Sequence, residues 1–425
     1  MSSFSVLMRR ALSATFGFAP PRDGAATAFP APLSPANLAT SDTAALMIAC
    51  PNPTKEDRAR DTHRLRGQFL ARQDRWDEIS VEIANADDVR HSTPSGMPVA
   101  ELLCYGARSD VVSAAEHALM SGRPADDTPL LHGIAALEEM LADAPLDPVR
   151  AITVAEAHMD IGWAWRGTAW REQVPEKNME AFEAHFDRAN DILRPFAEDC
   201  ATSPLYLAAR CALNAKSALG SRTIARQYEN LIALNPLNPA PMRALGNYVS
   251  PRWYGNHDEL ELQARRTAAL TQEEWGAGGY TWVMFDALAG DPEACANLDV
   301  DFFIEGLEDI LERRPDQHTT NTLAAFCAHT IGAQRTGQPR ADAVRTRIAE
   351  CSHWIVRKHL TEIHPLIWAH AAGGFDNNLP VASPRRFAAT GQRNALRVIA
   401  GLFKHEIAEG RRIIFTAEGP VAEYC

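Results

Sequence analysis

The chain has 425 residues, of which 46% are hydrophobic and 23% charged, enough for a sizeable core and too apolar for overall disorder. Its 54 acidic and 42 basic residues give a formal charge of -12, which opposes nucleic acid and anionic lipid except at a local basic patch. Only short basic clusters such as Arg385–Arg386 and Arg411–Arg412 stand against that excess, so nucleic-acid binding is not expected.

Residues 1–58 read as a flexible leader rich in Pro and Ala. Arg9 and Arg10 follow the first apolar residues instead of preceding them, which is wrong for a secretory signal. The same stretch carries Ser and Arg and has no acid before Asp23, a composition shared with transit peptides. The eight cysteines form no Cys-x-x-Cys pair and no disulfide framework. A reducing compartment, the cytoplasm, is therefore expected. No run reaches the roughly 18 apolar residues of a membrane-spanning helix.

From residue 59 to 380 the apolar pattern is helical, and the predicted fold class is all-α. Phe182, Phe186, Ala189 and Leu193 recur at helical spacing, as do Ile224, Tyr228, Leu231 and Ile232, and again Phe303, Leu307, Ile310 and Leu311. Three times an amphipathic helix ends in a short Pro-containing turn, around Pro145, Pro236 and Pro315, and an Ala-rich apolar helix follows. Proline cannot continue the first helix but is tolerated in the first turn of the next. Such helix pairs cannot bury their apolar faces alone and must stack. Residues 411–419 supply the one strand-like pattern, inside a C-terminal segment, 381–425, expected to hold a helix and a tail and to be a candidate cap.

The segment 208–236 resembles a tetratricopeptide repeat. Ala212, Tyr228 and Pro236, spaced 16 and 8 apart, match that family's small residue, aromatic and closing proline. The turns at Pro145 and Pro315 keep Leu137 and Leu307 eight residues upstream but lose the small residue's register. The resemblance implies an α-solenoid of stacked antiparallel helix pairs that serves as a binding surface. Residues 250–259, Ser-Pro-Arg-Trp-Tyr-Gly-Asn-His-Asp-Glu, resemble the Pro-basic-Trp-Gly-Gly-Ser joint of a bacterial repeat family of unknown function, with Tyr254 and Asn256 in place of two small residues. No activity comes with it.

That joint also holds His257 and Asp258, which suggest chemistry. A structural account covers the same residues: Trp253 plugs a gap between helix pairs, Asn256 caps the next helix, and Glu259 completes an approximate capping box. Thr271 and Glu274 have the spacing of a second capping box, and Gly276, Gly278 and Gly279 permit close helix packing. The candidate metal ligands are His353, His359, His364 and His370, eleven apart in two pairs, with Pro365 breaking the helix between them. The i, i+2 pairs Cys327/His329 and Cys351/His353 point about 200° apart on a helix and cannot grip one ion. Lys404–Gly410 approximates a zinc-protease helix with Glu409 in place of the second His. In Glu156-Ala-His-Met-Asp160 the two carboxylates share a helix face and His158 does not. Trp163, Trp165 and Trp170 are assigned to packing.

The expected function is a non-enzymatic protein- or peptide-binding scaffold without a cofactor, whose acidic surface suits a basic partner segment. The alternative is an all-α metal-dependent enzyme with its site in residues 350–375, where Asp376, Asn377 and Asn378 would form a polar mouth.

Overall fold

The structure, a computed structural model, describes residues 43–120, 128–167, 173–216, 220–332, 335–375, 381 and 383–424. It is predominantly helical, as the 3.6-residue periodicity requires. The described residues divide into two compact units, one of residues 55–244 and one combining 43–54 with 245–424. The division falls between Ala244 and Leu245, inside a helix.

The first unit comprises α1 (Lys55–Arg72), α2 (Trp76–Asp88), α3 (Val99–Met120), α4 (Thr128–Asp143), α5 (Pro148–Arg166), α6 (Glu176–Leu193), α7 (Pro204–Ala212) and α8 (Ser221–Leu234). Helix α1 packs on α3, α3 on α5, and α5 on α6. Helices α1 and α3 approach within backbone contact because each offers a glycine. A Cβ on Gly67 would lie 2.1 Å from the Leu103 carbonyl oxygen, and one on Gly106 2.0 Å from that of Arg64. Phe182, Phe186, Ala189 and Leu193 are all buried on α6, each at most 4% exposed. The Pro145 turn behaves as expected: Asp147 caps α5, accepting from the Val149 and Arg150 amides, with Pro148 in the first turn. Helix α7 packs on α8, and Tyr228 of α8 is buried.

Helix α9 (Ala240–Val249) carries the division. The second unit continues with α10 (His257–Leu270), α11 (Gln272–Trp275), α12 (Gly278–Gly290), α13 (Pro292–Asn297), α14 (Val300–Arg313) and α15 (Gln317–Ala325). A π-helical turn, Phe326–Ile331, extends α15. Then come α16 (Pro339–His359), α17 (Pro365–Ala371), α18 (Pro384–Leu402) and α19 (Lys404–Ala408). Helix α10 packs on α12, α12 on α14, and α17 on α18.

Three short strands complete this unit: β1 (Leu46–Met47), β2 (Arg411–Thr416) and β3 (Gly419–Tyr424), in sheet order β1-β2-β3. Strand β2 is the one expected near 411–419. Strand β3 runs antiparallel to it, and β1 pairs parallel, Leu46 opposite Ile413 and Met47 opposite Ile414. The leader anticipated through residue 58 therefore has ordered pairing from Leu46 and helix from Lys55; residues 1–42 lie outside the described residues. No described helix is long and apolar enough to cross a membrane.

Candidate functional site

The joint of residues 250–259 is built largely as a joint. Asn256 Oδ1 accepts from the Glu259 amide at 2.9 Å and caps α10. The Glu259 side chain does not reach back to close the box; it accepts from Gln263 Nε2 at 2.8 Å. Trp253 packs beside Tyr248, ring centroids 4.9 Å apart, but is only half-buried. His257 is not a bystander: its Nε2 lies 2.8 Å from Asp291 Oδ2, and Asp291 in turn caps α13. The imidazole thus links the starts of α10 and α13. These contacts rank three substitutions. Trp253→Ala is expected to cost about 2 kcal/mol, below the range for a fully buried aromatic. Asn256→Ala should cost about 1 kcal/mol through loss of the cap. His257→Ala should cost about 1 kcal/mol through the lost bond to Asp291. Thermal melts decide it: a Trp253→Ala protein melting with the parent removes Trp253 as a packing element.

The second expected capping box does not form. The Thr271 hydroxyl donates to the Thr267 carbonyl oxygen at 2.8 Å, and its side chain makes no cap bond to α11. A Thr at a helix end can satisfy its hydroxyl on the preceding turn, and that option wins here. The glycines do pack closely: a Cβ on Gly278 would lie 2.6 Å from Ile310 Cγ1, and Gly276 has φ +56°.

The four histidines are dispersed. His353 is exposed and its Nε2 accepts from Arg357 Nε at 3.0 Å. His359 is half-buried against Trp354, ring centroids 5.8 Å apart. His364 is buried with Nε2 2.9 Å from Glu362 Oε1. His370 is buried edge-on to Phe387, centroids 4.9 Å apart, and burial pushes it down to about 4. Among the described residues no three His, Cys, Asp or Glu side chains are grouped to hold a metal ion. Asp376, Asn377 and Asn378 lie outside the described residues, as does Trp170. Cys327 and His329 sit on the π-helical turn; Cys351 is buried while His353 is exposed. Glu409 falls just past α19 and pairs with Arg411 at 2.8 Å.

What organises the His-rich region is a residue the sequence did not single out, Asn321 on α15. It is fully buried, and its Oδ1 accepts from Trp368 Nε1 at 2.8 Å and from the His364 amide at 2.9 Å. Its Nδ2 donates to the carbonyl oxygens of Gln317 and Glu362, at 2.7 and 2.9 Å. In the same unit, the π-helical turn and α16 border an open cleft of about 630 Å³ whose lining includes Gly332, Arg335, Thr346, Ala349, Glu350 and His353. Its small residues leave room, and its rim carries both signs of charge. The base is fixed by buried Arg345, which donates to the Leu288 and Thr330 carbonyl oxygens at 3.0 and 2.9 Å.

In the other unit, Glu156 and Asp160 do share a face of α5, and both meet Arg108 of α3. Arg108 Nη1 lies 2.7 Å from Glu156 Oε2, and Nε donates to Asp160 Oδ2 at 2.9 Å. Arg108 is 2% exposed, Glu156 13% and Asp160 15%. Cys104 Sγ donates to Glu156 at 3.1 Å. Burial pushes the Glu156 carboxyl above the usual carboxylate range against the pull of Arg108. Glu101 is pushed up to about 8, by burial first and then by the Glu156 carboxylate. His158 faces away, as its i, i+2 spacing requires: its Nδ1 meets His185 Nδ1 at 2.9 Å and its Nε2 meets Glu138 Oε1 at 2.9 Å. Arg188 also bridges to Glu138. These groups are paired with one another, which is the arrangement of an internal tie between helices.

No protein-family model matches this chain, and neither a curated protein nor a solved structure matches it.

Proposed function

We propose that this chain is a non-enzymatic scaffold of stacked, tetratricopeptide-like helix pairs that binds a protein or peptide partner. The supporting observation is the open cleft along α16, with its small-residue lining and its exposed Glu350 and His353. An open cleft lined by small residues and by both signs of charge suits a short peptide segment whose side chains enter in turn. The packing of helices on near neighbours, α1 on α3 on α5 on α6 and α10 on α12 on α14, is what stacked pairs require. The acid excess favours a basic segment, with Glu350 offering a carboxylate at the rim. The described cysteines are free thiols, in keeping with a reducing compartment.

Selection of short displayed peptides on the whole protein tests the reading. Basic peptides should be enriched, and Thr346→Trp, which fills the cleft from an exposed position, should abolish their binding. Glu350→Arg should weaken it about tenfold. Equal binding to Thr346→Trp, or no enriched peptide, would overturn the cleft as the binding surface.

A further inference from the structure

Charge is distributed unevenly along this chain. Residues 384–412 hold seven basic and two acidic residues, a balance of +5 in a chain whose total is -12, which leaves -17 for the remainder. Helix α18 contributes Arg385, Arg386, Arg393 and Arg397 and no acidic residue. Its buried face is Ala388, Gly391, Ala395 and Ile399, seated against α17, where a Cβ on Gly391 would lie 1.9 Å from the Pro365 carbonyl oxygen. The opposite face is exposed and presents Arg386, Thr390, Arg393 and Arg397 at i, i+4, i+7 and i+11. At 1.5 Å of rise per residue this row of guanidinium groups spans about 16 Å. Exposed Lys404 follows just beyond the helix end.

Elsewhere in the same unit some exposed arginines are held by carboxylates, Arg347 by Asp301 and Arg265 by Glu261 and Asp299. None of the four α18 arginines forms an ion pair with a described carboxylate; Arg393 donates to the Thr390 hydroxyl at 2.9 Å. A like-charged row on one helix face is mildly destabilising to that helix. Among the described residues it has no neutralising partner, in a chain that has acid to spare.

We propose that the exposed face of α18 is a docking surface for an acidic segment of a partner protein, one whose Asp and Glu side chains recur along a single face. Guanidinium groups are suited to this because they grip carboxylates in a bidentate fork and stay charged at every physiological pH. The row is single file on a convex helix and exposes no large aromatic side chain on which bases would stack, which disfavours nucleic acid. It exposes no large apolar side chain either, so it has nothing to insert into a membrane. The remaining -17 also repels an extended polyanion that runs past the helix. The cleft along α16 takes Leu402 from the end of α18 but none of the arginines of this row, and the two assignments stand or fall separately.

The test uses the whole protein and four probes read by fluorescence anisotropy or co-sedimentation. They are a short labelled peptide with Glu on one helical face, the same peptide with Gln in place of Glu, a single-stranded oligonucleotide, and phosphatidylserine-containing vesicles. The Glu peptide should bind at low salt, weaken as salt rises, and bind far better than the Gln peptide. The triple variant Arg386→Glu/Arg393→Glu/Arg397→Glu should weaken binding by at least about tenfold, and the corresponding Gln triple by a smaller factor. Because these positions are exposed, both triples should melt with the parent; should the Glu triple not fold, the Gln triple carries the comparison. Arg222→Glu/Arg226→Glu, on exposed positions of α8, should bind as the parent does. The proposal is overturned if the Glu peptide fails to bind, if both triples bind like the parent, or if the α8 control weakens binding equally. Tighter binding of oligonucleotide or vesicles than of the Glu peptide would reassign the surface to that partner and overturn it as well.

Discussion

Arg108→Ala is expected to destabilise its unit by about 3–5 kcal/mol, the range for leaving buried charge without its partner. Arg108 is fully enclosed between α3 and α5 and meets both Glu156 and Asp160. Removing it strands two carboxylates in a region of low polarity, beside Glu101, which is already pushed up to about 8. The direction with pH follows. Burial raises the Glu156 carboxyl, and Arg108 opposes that rise. Without Arg108 the folded state holds its proton to higher pH than the unfolded chain does. Stability of the variant relative to the parent is therefore worst at neutral pH and recovers as pH falls toward the unfolded carboxylate value near 4.5. A second variant separates lost charge pairing from lost packing. Arg108→Met/Glu156→Gln/Asp160→Asn keeps the volume and removes all three charges, and should recover more than half of the loss. If denaturant melts show the triple as unstable as Arg108→Ala at every pH, packing rather than unpaired charge accounts for the effect.

This tie shows what the sequence could and could not disclose. The 3.6-residue recurrence of Phe182, Phe186, Ala189 and Leu193, or of Phe303, Leu307, Ile310 and Leu311, reports which face is buried, because burial acts on each helix locally. The turns at Pro145 and Pro315 were legible for the same reason, since proline acts on its own backbone. That Glu156 and Asp160 share a face was legible too. Their partner was not: Arg108 lies about fifty residues away, and no local rule selects it among the other arginines. Asn321 was missed because a buried amide has no sequence mark that distinguishes it from a surface one. Strand β1 is two residues long, too short for alternation to register, and it is set by pairing to β2 at the other end of the chain. Capping failed where two local options compete: Thr271 had the spacing of a cap, and its hydroxyl went to the preceding turn instead.

The second large effect is expected at Asn321. Asn321→Ala should cost about 3 kcal/mol, because four polar groups lose a hydrogen bond at a site with no exposure to water, the Gln317 carbonyl alone keeping its helical one. Trp368 Nε1 and the His364 amide lose an acceptor, and the Gln317 and Glu362 carbonyls lose a donor. Any relaxation that admits water reduces the figure. Asn321→Asp distinguishes a donor–acceptor role from mere space filling. An aspartate there could still accept from Trp368 and His364 but would face two carbonyl oxygens with no hydrogen to offer. The site then favours the protonated acid, whose O–H can donate, and the folded carboxyl sits above its unfolded value. An acid with a raised folded pKa loses stability as pH rises through the interval between the two values. Asn321→Asp should therefore be closest to the parent at low pH and fall behind it progressively toward neutrality. Asn321→Ala should show a deficit that does not change with pH. Denaturant unfolding of both variants against the parent, at matched pH so that the buried histidines cancel, decides between them. Parallel pH curves for the Asp and Ala variants would mean that the amide's hydrogens matter little, and that Asn321 holds α15 to α17 by its shape.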